Sequence, residues 1–292
     1  MNVLVATDGS KYGQWGLNWV AKLPFVKEPR VIALHVLDAA TLRLPFRTKL
    51  EIQRVEARSA RTIRKATRQL ASLRLKGTAR KEQGAVAPTI LKCAPKRHGL
   101  LVVGSQGLDA LDRFMLGSVS TKLIHHAPCP VLVVKGKATP LRRITLATDG
   151  SPASAKALEF VLTTFQPDRS SGRGGPVPIH VSVIHVIARS PLAPITIGST
   201  IAWIEYRESK VREIGRRLLE QSVQKLIEAG FTAEPLCQFG NPAEKIMKAA
   251  SKQHADLIVM GAKGLAAIDR FLLGSVSTRV VQHAKGSVLV VR

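Results

Sequence analysis

The sequence is poor in aromatic residues, cysteines and acidic side chains, and each shortage excludes a class of protein. An aromatic content of 4% argues against stacking platforms for single-stranded nucleic acid. The three cysteines, Cys93, Cys129 and Cys237, have the spacing of neither a disulfide framework nor a metal site, so we expect free, buried thiols. The absence of any run of about 18 apolar residues predicts no transmembrane segment. The N-terminus also lacks the basic lead and cleavage site of a signal peptide, so we expect a cytoplasmic protein.

Sequence motifs that mark common catalytic sites are missing as well. There is no Gly-x-Ser-x-Gly, His-Glu-x-x-His, Cys-x-x-Cys or Walker lysine motif. His126 and His283 occupy equivalent places near the end of the last helix of each half, where a partly charged imidazole favours the helix dipole. Catalysis by these histidines is the minor alternative. We therefore predict no catalytic residue and no metal site.

What the sequence has in excess is positive charge. It holds 44 Lys and Arg residues against 20 Asp and Glu residues, a formal net charge of +24. Such a balance bears on solubility and on polyanionic partners rather than on the fold. The content of 45% hydrophobic and 22% charged residues is that of a globular protein, and 292 residues predict two domains of ordinary size.

The chain contains an internal repeat. Residues 3–10 return as residues 144–151 with Ala-Thr-Asp-Gly-Ser unchanged, and residues 112–121 return as residues 269–278 with Leu272 in place of Met115. The repeat predicts one domain over residues 1–138 and a second over residues 139–292. The second copy is longer, and part of its surplus is the Gly/Pro/Ser cluster at residues 168–178, which we expect to be an exposed loop.

Short apolar runs alternate with helical patterns in both copies. The runs occupy residues 3–6, 31–37, 100–103 and 131–134, and then 144–147, 181–187, 257–260 and 288–291. Because they are apolar on both faces, they predict buried parallel strands with helices on each side. A further strand is expected before Gly84 and before Gly240, and Asn241 with Pro242 predicts a capped helix start. The fold class is therefore doubly wound α/β, twice, each half having a mostly parallel five-stranded sheet.

Helical periodicity is clearest in the middle of each copy. It is carried by Ile52, Val55, Ile63, Ala66, Leu70 and Leu73, and later by Val211, Ile214, Leu218, Leu219 and Leu226. Five cations recur every three or four residues on the first of these helices and form one stripe roughly opposite its apolar face: Arg54, Arg58, Arg61, Lys65 and Arg68. This basic stripe predicts either a solvated surface or a site for nucleic acid, anionic lipid or an acidic protein.

Glycine-rich loops follow the strands at the place where open α/β sheets bind ligands. In the first copy the pattern consists of Asp8, Gly104, Gly107, Gly117, Ser118, Val119 and Ser120. In the second copy it consists of Asp149, Gly261, Gly264, Gly274, Ser275, Val276 and Ser277. If the first and fourth strands of each half are neighbours, the aspartate faces the glycine loop.

This pattern has a physical rationale in nucleotide binding. Glycine lets the backbone approach a phosphate closely, and a helix N-terminus offers N–H groups and a positive dipole end. Serine hydroxyls can donate to phosphate, and an aspartate can accept from ribose hydroxyls. The alternative is that the glycines only make turns and the serines only cap a helix.

The spacing Gly-x-x-Gly, nine residues, Gly-Ser, between an apolar strand and Val-Leu-Val-Val, resembles the nucleotide-binding signature of the ATP-binding branch of the universal stress protein family. Both halves match, so the chain resembles a tandem member. The resemblance implies an adenine nucleotide alpha hydrolase-like fold that binds ATP, or ADP or AMP, with Mg²⁺ as an accompanying ion. It also implies a pseudo-dimer of the two halves through the sheet edges at residues 131–134 and 288–291, and it allows a further homodimer.

The resemblance assigns roles to particular residues. The adenine would lie against Val36 and Val103 in the first half, and against Val186 and Met260 in the second. Asp8 and Asp149 would hold the ribose, and the phosphates would meet the glycine loops and the Gly-Ser-Val-Ser segments. We therefore expect an ATP-binding stress-response or regulatory protein in which hydrolysis is slow or absent. The alternative is a polyanion- or nucleic-acid-associated basic protein with nucleotide binding secondary.

Overall fold

A computed structural model of the chain describes residues 1–42, 48–96, 98–107, 116–171, 174–188, 200–264 and 273–292. Parts of the repeated segment, residues 112–115 and 269–272, lie outside this description. The first half consists of β1 (Asn2–Ala6), α1 (Lys11–Lys22), β2 (Arg30–Asp38), α2 (Ala39–Leu42), α3 (Lys49–Ser72), β3 (Gly77–Gly84), α4 (Val86–Cys93), β4 (Gly99–Gly104), α5 (Ser118–His126) and β5 (Val131–Val134).

The second half repeats this order and inserts one pair of strands. It consists of β6 (Arg143–Ala147), α6 (Pro152–Thr164), β7 (Asp168–Ser171), β8 (Gly174–Pro178), β9 (His180–Ile187), α7 (Thr200–Glu228), β10 (Thr232–Phe239), α8 (Pro242–Lys252), β11 (Leu257–Gly261), α9 (Ser275–His283) and β12 (Ser287–Val291). The strands expected before Gly84 and Gly240 are β3 and β10, so that prediction is confirmed.

Local sequence signals start several of these helices. The hydroxyl of Ser10 accepts a hydrogen bond from the Gly13 amide at the start of α1, and Ser151 caps α6 in the same way. Thr48 and Glu51 form a reciprocal capping box at the start of α3. The predicted cap of α8 is confirmed, because the Asn241 side chain accepts from the Glu244 amide and Pro242 is the first helical residue.

In the described part of the chain, all strands except β7 and β8 form one ten-stranded sheet in the order β10-β9-β6-β11-β12-β5-β4-β1-β2-β3. Within this sheet, neighbouring strands of the same half are all parallel, as the apolar runs predict. β1 lies between β2 and β4, so the direction of winding reverses there, and β6 has the same position between β9 and β11. This reversal opens a crevice at the carboxyl ends of the central strands of each half.

The two halves join through their last strands. β5 and β12 pair antiparallel, with Leu132 opposite Leu289, so the two sheet edges that were expected to meet are joined within the chain. The pairing removes two apolar strands from exposed sheet edges, where they would template aggregation. The segment that follows α1 also meets the end of α6, since the Val26 amide donates to the Thr164 carbonyl at 2.9 Å.

The core lies in two layers, one on each face of the shared sheet. Alternate strand residues face opposite sides, so Val3 and Val5 belong to one layer and Leu4 to the other. The first layer is covered by α1, α3, α6 and α7, and the second by α4, α5, α8 and α9. Each layer runs continuously through both halves, which makes the chain a three-layer α/β/α structure.

Two local expectations are wrong. The segment 168–178, expected to be an exposed loop, contains the antiparallel strands β7 and β8, because this Gly- and Pro-rich stretch pairs with itself as a separate two-stranded sheet. Ile214 belongs to the exposed side of α7, with 68% of its surface accessible. The neighbouring Gly215 faces the sheet instead, where a Cβ would stand 2.9 Å from the His185 ring. The missing side chain lets α7 lie close to β9 and β10.

The structure also bears on the three cysteines and on the expectation of no transmembrane segment. All three thiols are free, as predicted, although only Cys129 is fully buried and Cys93 and Cys237 are partly exposed. Within the described ranges, no helix combines the length and the apolar content needed to cross a bilayer.

Candidate functional site

A cavity of about 390 Å³ opens at the crevice between β1 and β4. It contains all nine residues that the sequence assigns to the first site: Asp8, Val36, Val103, Gly104, Gly107, Gly117, Ser118, Val119 and Ser120. Residues 108–115, between the two glycine segments, lie outside the described part of the chain. The volume falls in the range of small-molecule sites in proteins, about 300–1,000 Å³.

An aspartate faces the glycine loop in both halves. Asp8 Oδ1 accepts a hydrogen bond from the Ser10 amide at 2.9 Å, and Asp149 Oδ1 accepts from the Ser151 amide at 3.0 Å. These local bonds fix the carboxylates at the ends of β1 and β6. A Cβ placed on Gly107 would stand 3.0 Å from Asp8 Oδ2, and one on Gly264 would stand 2.5 Å from Asp149 Oδ2. The expected contact between carboxylate and glycine loop is therefore present.

The fold requires the first glycine of each loop. A Cβ on Gly104 would stand 2.7 Å from the Cβ of Tyr12, and one on Gly261 would stand 2.6 Å from the backbone of Ala153. Both distances are shorter than real side chains tolerate. These two glycines let α1 and α6 pack on the ends of β4 and β11. Packing alone therefore explains why glycine stands at these two positions, without a ligand.

The fold does not require the glycines that precede α5 and α9. Gly117 and Gly274 both have φ of −65°, a conformation that any residue adopts. A Cβ on Gly117 would come no closer than 3.6 Å to another atom, and one on Gly274 no closer than 3.4 Å. Space for a side chain is thus left open at both positions, and at Gly117 this space lies on the wall of the cavity, where a ligand could approach the backbone.

The helices α5 and α9 begin without a side-chain cap. Gly117 and Gly274 are their N-cap residues, and neither helix has a side-chain hydrogen bond at its start. This contrasts with the serine caps of α1 and α6. The first residues of α5 line the cavity, so the uncapped, positive dipole end of this helix lies at the cavity, which is a favourable arrangement for an anion.

The second serine of each Gly-Ser-Val-Ser segment has a structural role. Ser120 Oγ donates to the Gly104 carbonyl at 2.6 Å, and Ser277 Oγ donates to the Gly261 carbonyl at 2.9 Å. A hydroxyl has one proton, so in this conformation these serines tie the helix to the strand end rather than donate to a ligand. Ser118 and Ser275, the first helical residues, are exposed at the site.

One wall of the cavity is apolar, and sequence reasoning found only half of it. Val36 and Val103, both buried, line it as expected. Val86 and Ile90 of α4 line it as well. These two were missed because α4 follows the edge strand β3 and comes next to the site only when it packs on the same face of the sheet as Val36 and Val103. Their spacing of four residues, one helical face, is the signal that could have suggested them. In the second half Met260 is buried, as is Ile246 on the corresponding helix α8.

A histidine supports each aspartate-bearing loop. His35 Nδ1 lies 3.0 Å from the Thr7 carbonyl, and His185 Nδ1 lies 2.9 Å from the Thr148 carbonyl. Because a carbonyl only accepts, each Nδ1 must carry the proton and donate it. Sequence reasoning gave these histidines no role; they hold the backbone next to Asp8 and Asp149. His126 and His283, in contrast, are the last residues of α5 and α9, where the dipole argument expects them.

The two glycine loops differ at both positions between their glycines: Ser105 and Gln106 in the first loop stand where the second has Ala262 and Lys263. The first loop carries Gln106, which lines the cavity and is 7% exposed, and the second carries Lys263. Over the residues that the structure describes, no group of three or more His, Cys, Asp or Glu side chains could hold a metal ion.

Fold and site together define a class of protein. The chain is a tandem, doubly wound α/β protein. In each half an aspartate faces a glycine loop at the point where the winding of the sheet reverses. The family model of the universal stress protein family matches the sequence twice, over residues 1–135 and 140–292. The chain therefore belongs to the universal stress protein family.

Individual relatives agree with this assignment. A universal stress protein of Mycolicibacterium smegmatis is 32% identical over 99% of this chain and 96% of its own length. Universal stress protein YxiE of Bacillus subtilis is 28% identical and covers 51% of this chain with 98% of its own length, so it corresponds to one half. The crystal structure of a universal stress protein from Archaeoglobus fulgidus covers all of this chain and 96% of its own, with a TM-score of 0.67 at 19% identity, and shows the same fold.

Proposed function

We propose that this universal stress protein binds an adenine nucleotide, ATP in the first instance, at the crevice of each half, and that binding serves a stress-response or regulatory role. The observation that carries the proposal is the pair Gly117 and Gly274. Each leaves a helix N-terminus uncapped and backbone uncovered where the fold itself does not need a glycine. A ligand that must approach the backbone accounts for both.

The proposed pose follows from the walls of the cavity. The adenine lies against the apolar wall of Val36 and Val103, and the ribose hydroxyls donate to Asp8. The phosphate oxygens accept hydrogen bonds from the backbone N–H groups of Gly107 and of the first residues of α5. The second half uses its corresponding set, Val186, Met260, Asp149, Gly264 and residues 274–277. Mg²⁺ would accompany the phosphates as their counter-ion, and we assign no residue a catalytic role.

Calorimetry with ATP tests the proposal. The double variant Gly117→Val and Gly274→Val places side chains over both phosphate positions. Charge-assisted hydrogen bonds contribute about 1.5–3 kcal/mol each, so loss of two per site weakens binding about 100-fold or more. Gly136→Val is the matched control, because a Cβ there meets nothing within 4 Å and the residue lies outside the cavity. Undiminished affinity in the double variant would reject the site.

The basic stripe on α3 supports a second candidate function, association with nucleic acid. All five of its cations are exposed, and among the described residues none of them forms an ion pair. On the corresponding helix α7, by contrast, Arg216 pairs with Glu220 at 2.7 Å. The stripe lies on the other side of the sheet from the nucleotide crevice, so the two functions are compatible.

Retention on DNA at about 50 mM salt, where phosphate contacts are strong, tests the second candidate. Changing Arg54, Arg58, Arg61 and Arg68 to Glu is expected to abolish retention and to leave ATP binding unchanged. The control is the double change of Arg216 and Arg217 to Glu on α7, which is expected to lower retention only slightly. If the unmodified protein is not retained, the stripe is a solvated surface.

A further inference from the structure

A second cavity, separate from the nucleotide crevice, lies at the outer edge of the second half. It has a volume of about 430 Å³ and is bounded by the edge strand β10, with α7 on one side and α8 on the other. Its lining consists of Arg212, Cys237, Gln238, Phe239, Lys245, Lys248, Ala249 and Lys252. We call it the edge groove. None of these residues belongs to the proposed nucleotide site.

The edge groove is strongly basic. Four of its lining residues are cations, Arg212 from α7 and Lys245, Lys248 and Lys252 from α8, and none is an acid. In the ranges that the structure describes, none of the four cations forms an ion pair. Burial raises the pKa of the Cys237 thiol, so the thiol stays neutral near pH 7 and supplies no counter-charge.

The groove holds its cations in place from both sides of β10. The Arg212 guanidinium lies 5.0 Å from the centre of the Phe239 ring, a cation–π distance. The stem of Lys245 crosses Gly240, since a Cβ there would stand 2.9 Å from Lys245 Cε. Lys245, Lys248 and Lys252 follow each other by three and four residues, which places them on one face of α8. Like charges gathered in a concave surface repel each other, and a bound anion relieves that repulsion.

The first half repeats only part of this arrangement, so the fold does not require all of it. Gln238 precedes Gly240 by two residues, and at the corresponding place before Gly84 stands Glu82, which pairs with Arg80 at 3.0 Å. Thr89 contacts the Gly84 position as Lys245 contacts Gly240. Lys92 and Lys96 stand where the second half has Lys248 and Lys252, but Thr89 replaces Lys245, so the full set of four cations belongs to the second half.

We propose that the edge groove binds a small, multiply charged phosphate compound, in addition to the nucleotide bound at the crevices. Four cations match the charge of an oligophosphate, and the volume is that of a small-molecule site. Lysine ammonium groups and an arginine guanidinium are the side chains that recognise phosphate oxygens. The phosphate chain can come from a free inorganic oligophosphate or from the tail of a nucleotide.

Calorimetry with inorganic triphosphate on the full chain tests the proposal. The double variant Lys248→Gln and Lys252→Gln is expected to weaken triphosphate binding by about tenfold or more. The matched control is Lys92→Gln and Lys96→Gln, which removes two exposed lysines from the corresponding helix end of the first half. Equal weakening by both variants, or no binding by the unmodified protein at about 50 mM salt, overturns the proposal.

The same titration in the Gly117→Val and Gly274→Val background separates the edge groove from the nucleotide crevices. Retained triphosphate binding supports the groove, whereas its loss assigns the triphosphate to the crevices and overturns the proposal. If ATP binds this double variant as tightly as triphosphate does, the groove accepts the phosphate tail of a nucleotide. If triphosphate binds and ATP does not, the ligand is a free oligophosphate. A chain that binds no ATP at its crevices would refute the nucleotide proposal and leave the groove measurement valid.

Discussion

Replacing Lys135 by Met is expected to change the pH dependence of folding. Lys135 follows β5, and its ammonium reaches across the joint between the halves. Its Nζ donates to the Gln282 carbonyl at 3.0 Å and to the Ala284 carbonyl at 2.6 Å, at the end of α9. Arg292 follows β12 at the corresponding place and donates to the Ile124 carbonyl of α5. Two cations therefore cap the last helix of the opposite half.

The cost and the gain at Lys135 nearly cancel near pH 7. Burial lowers the pKa of Lys135 from 10.5 to about 8. That difference corresponds to a burial cost of about 3 kcal/mol for the charged form, because one pKa unit is about 1.4 kcal/mol. The two hydrogen bonds from Lys135 to carbonyls each stabilise the folded state by about 1–2 kcal/mol. The variant Lys135→Met should therefore change the free energy of unfolding by no more than about 1–2 kcal/mol at this pH.

The balance shifts as the pH rises. Between pH 8 and 10.5 the unfolded chain keeps the Lys135 proton while the folded chain has lost it, so the contribution of Lys135 to stability increases with pH. A neutral amine still has two N–H groups for the two carbonyls. The stability of the unmodified protein relative to Lys135→Met is therefore expected to grow by about 3 kcal/mol from pH 7 to pH 10.5.

Urea unfolding of the unmodified protein and of both cap variants at pH 7.5, 9 and 10 measures this difference. Arg292→Met is the control, because a guanidinium keeps its charge to higher pH than an amine and the difference should then change little. A stability difference for Lys135→Met that stays constant from pH 7.5 to pH 10 would refute the reasoning, since the ammonium would then not be buried at the joint.

The remaining predictions concern the joint between the halves and the glycine loops. Leu132→Ala, which empties a site 1% exposed opposite Leu289, should lower the free energy of unfolding by about 3–5 kcal/mol in chemical denaturation. Small-angle scattering of the unmodified protein should fit one compact body, and a better fit by two independent domains would contradict the joint. Gln106→Lys should raise the preference of the first site for ATP over AMP by about tenfold in calorimetry, because an added cation in the glycine loop favours the more highly charged phosphate tail. Lys263→Gln should lower that preference in the second site, and unchanged ratios would exclude a role for this position.

Which expectations hold depends on how local their causes are. The cap at Asn241 and the carboxylate of Asp8 facing Gly107 follow from bonds between near neighbours and from the meeting of parallel strand ends. The exposure of Ile214 follows from a distant cause, because Gly215 is drawn to the sheet by the close approach of α7 to His185. A periodic pattern shows that a helix has an apolar face but does not say which residue of that face touches the sheet.

The sequence by itself determined the elements and their duplication. Strands that are apolar on both faces, and the repeated aspartate and glycine segments, predict two doubly wound halves because strand burial and turn conformation are set by the residues themselves. Only the tertiary structure decided what these elements bring together. It placed Ile90 of α4 on the wall of the cavity and gathered the cations of α7 and α8 around β10. It also showed that packing requires a glycine at position 104 and leaves space for a side chain at Gly117. The sequence could not show this, because a clash depends on atoms far away in the chain.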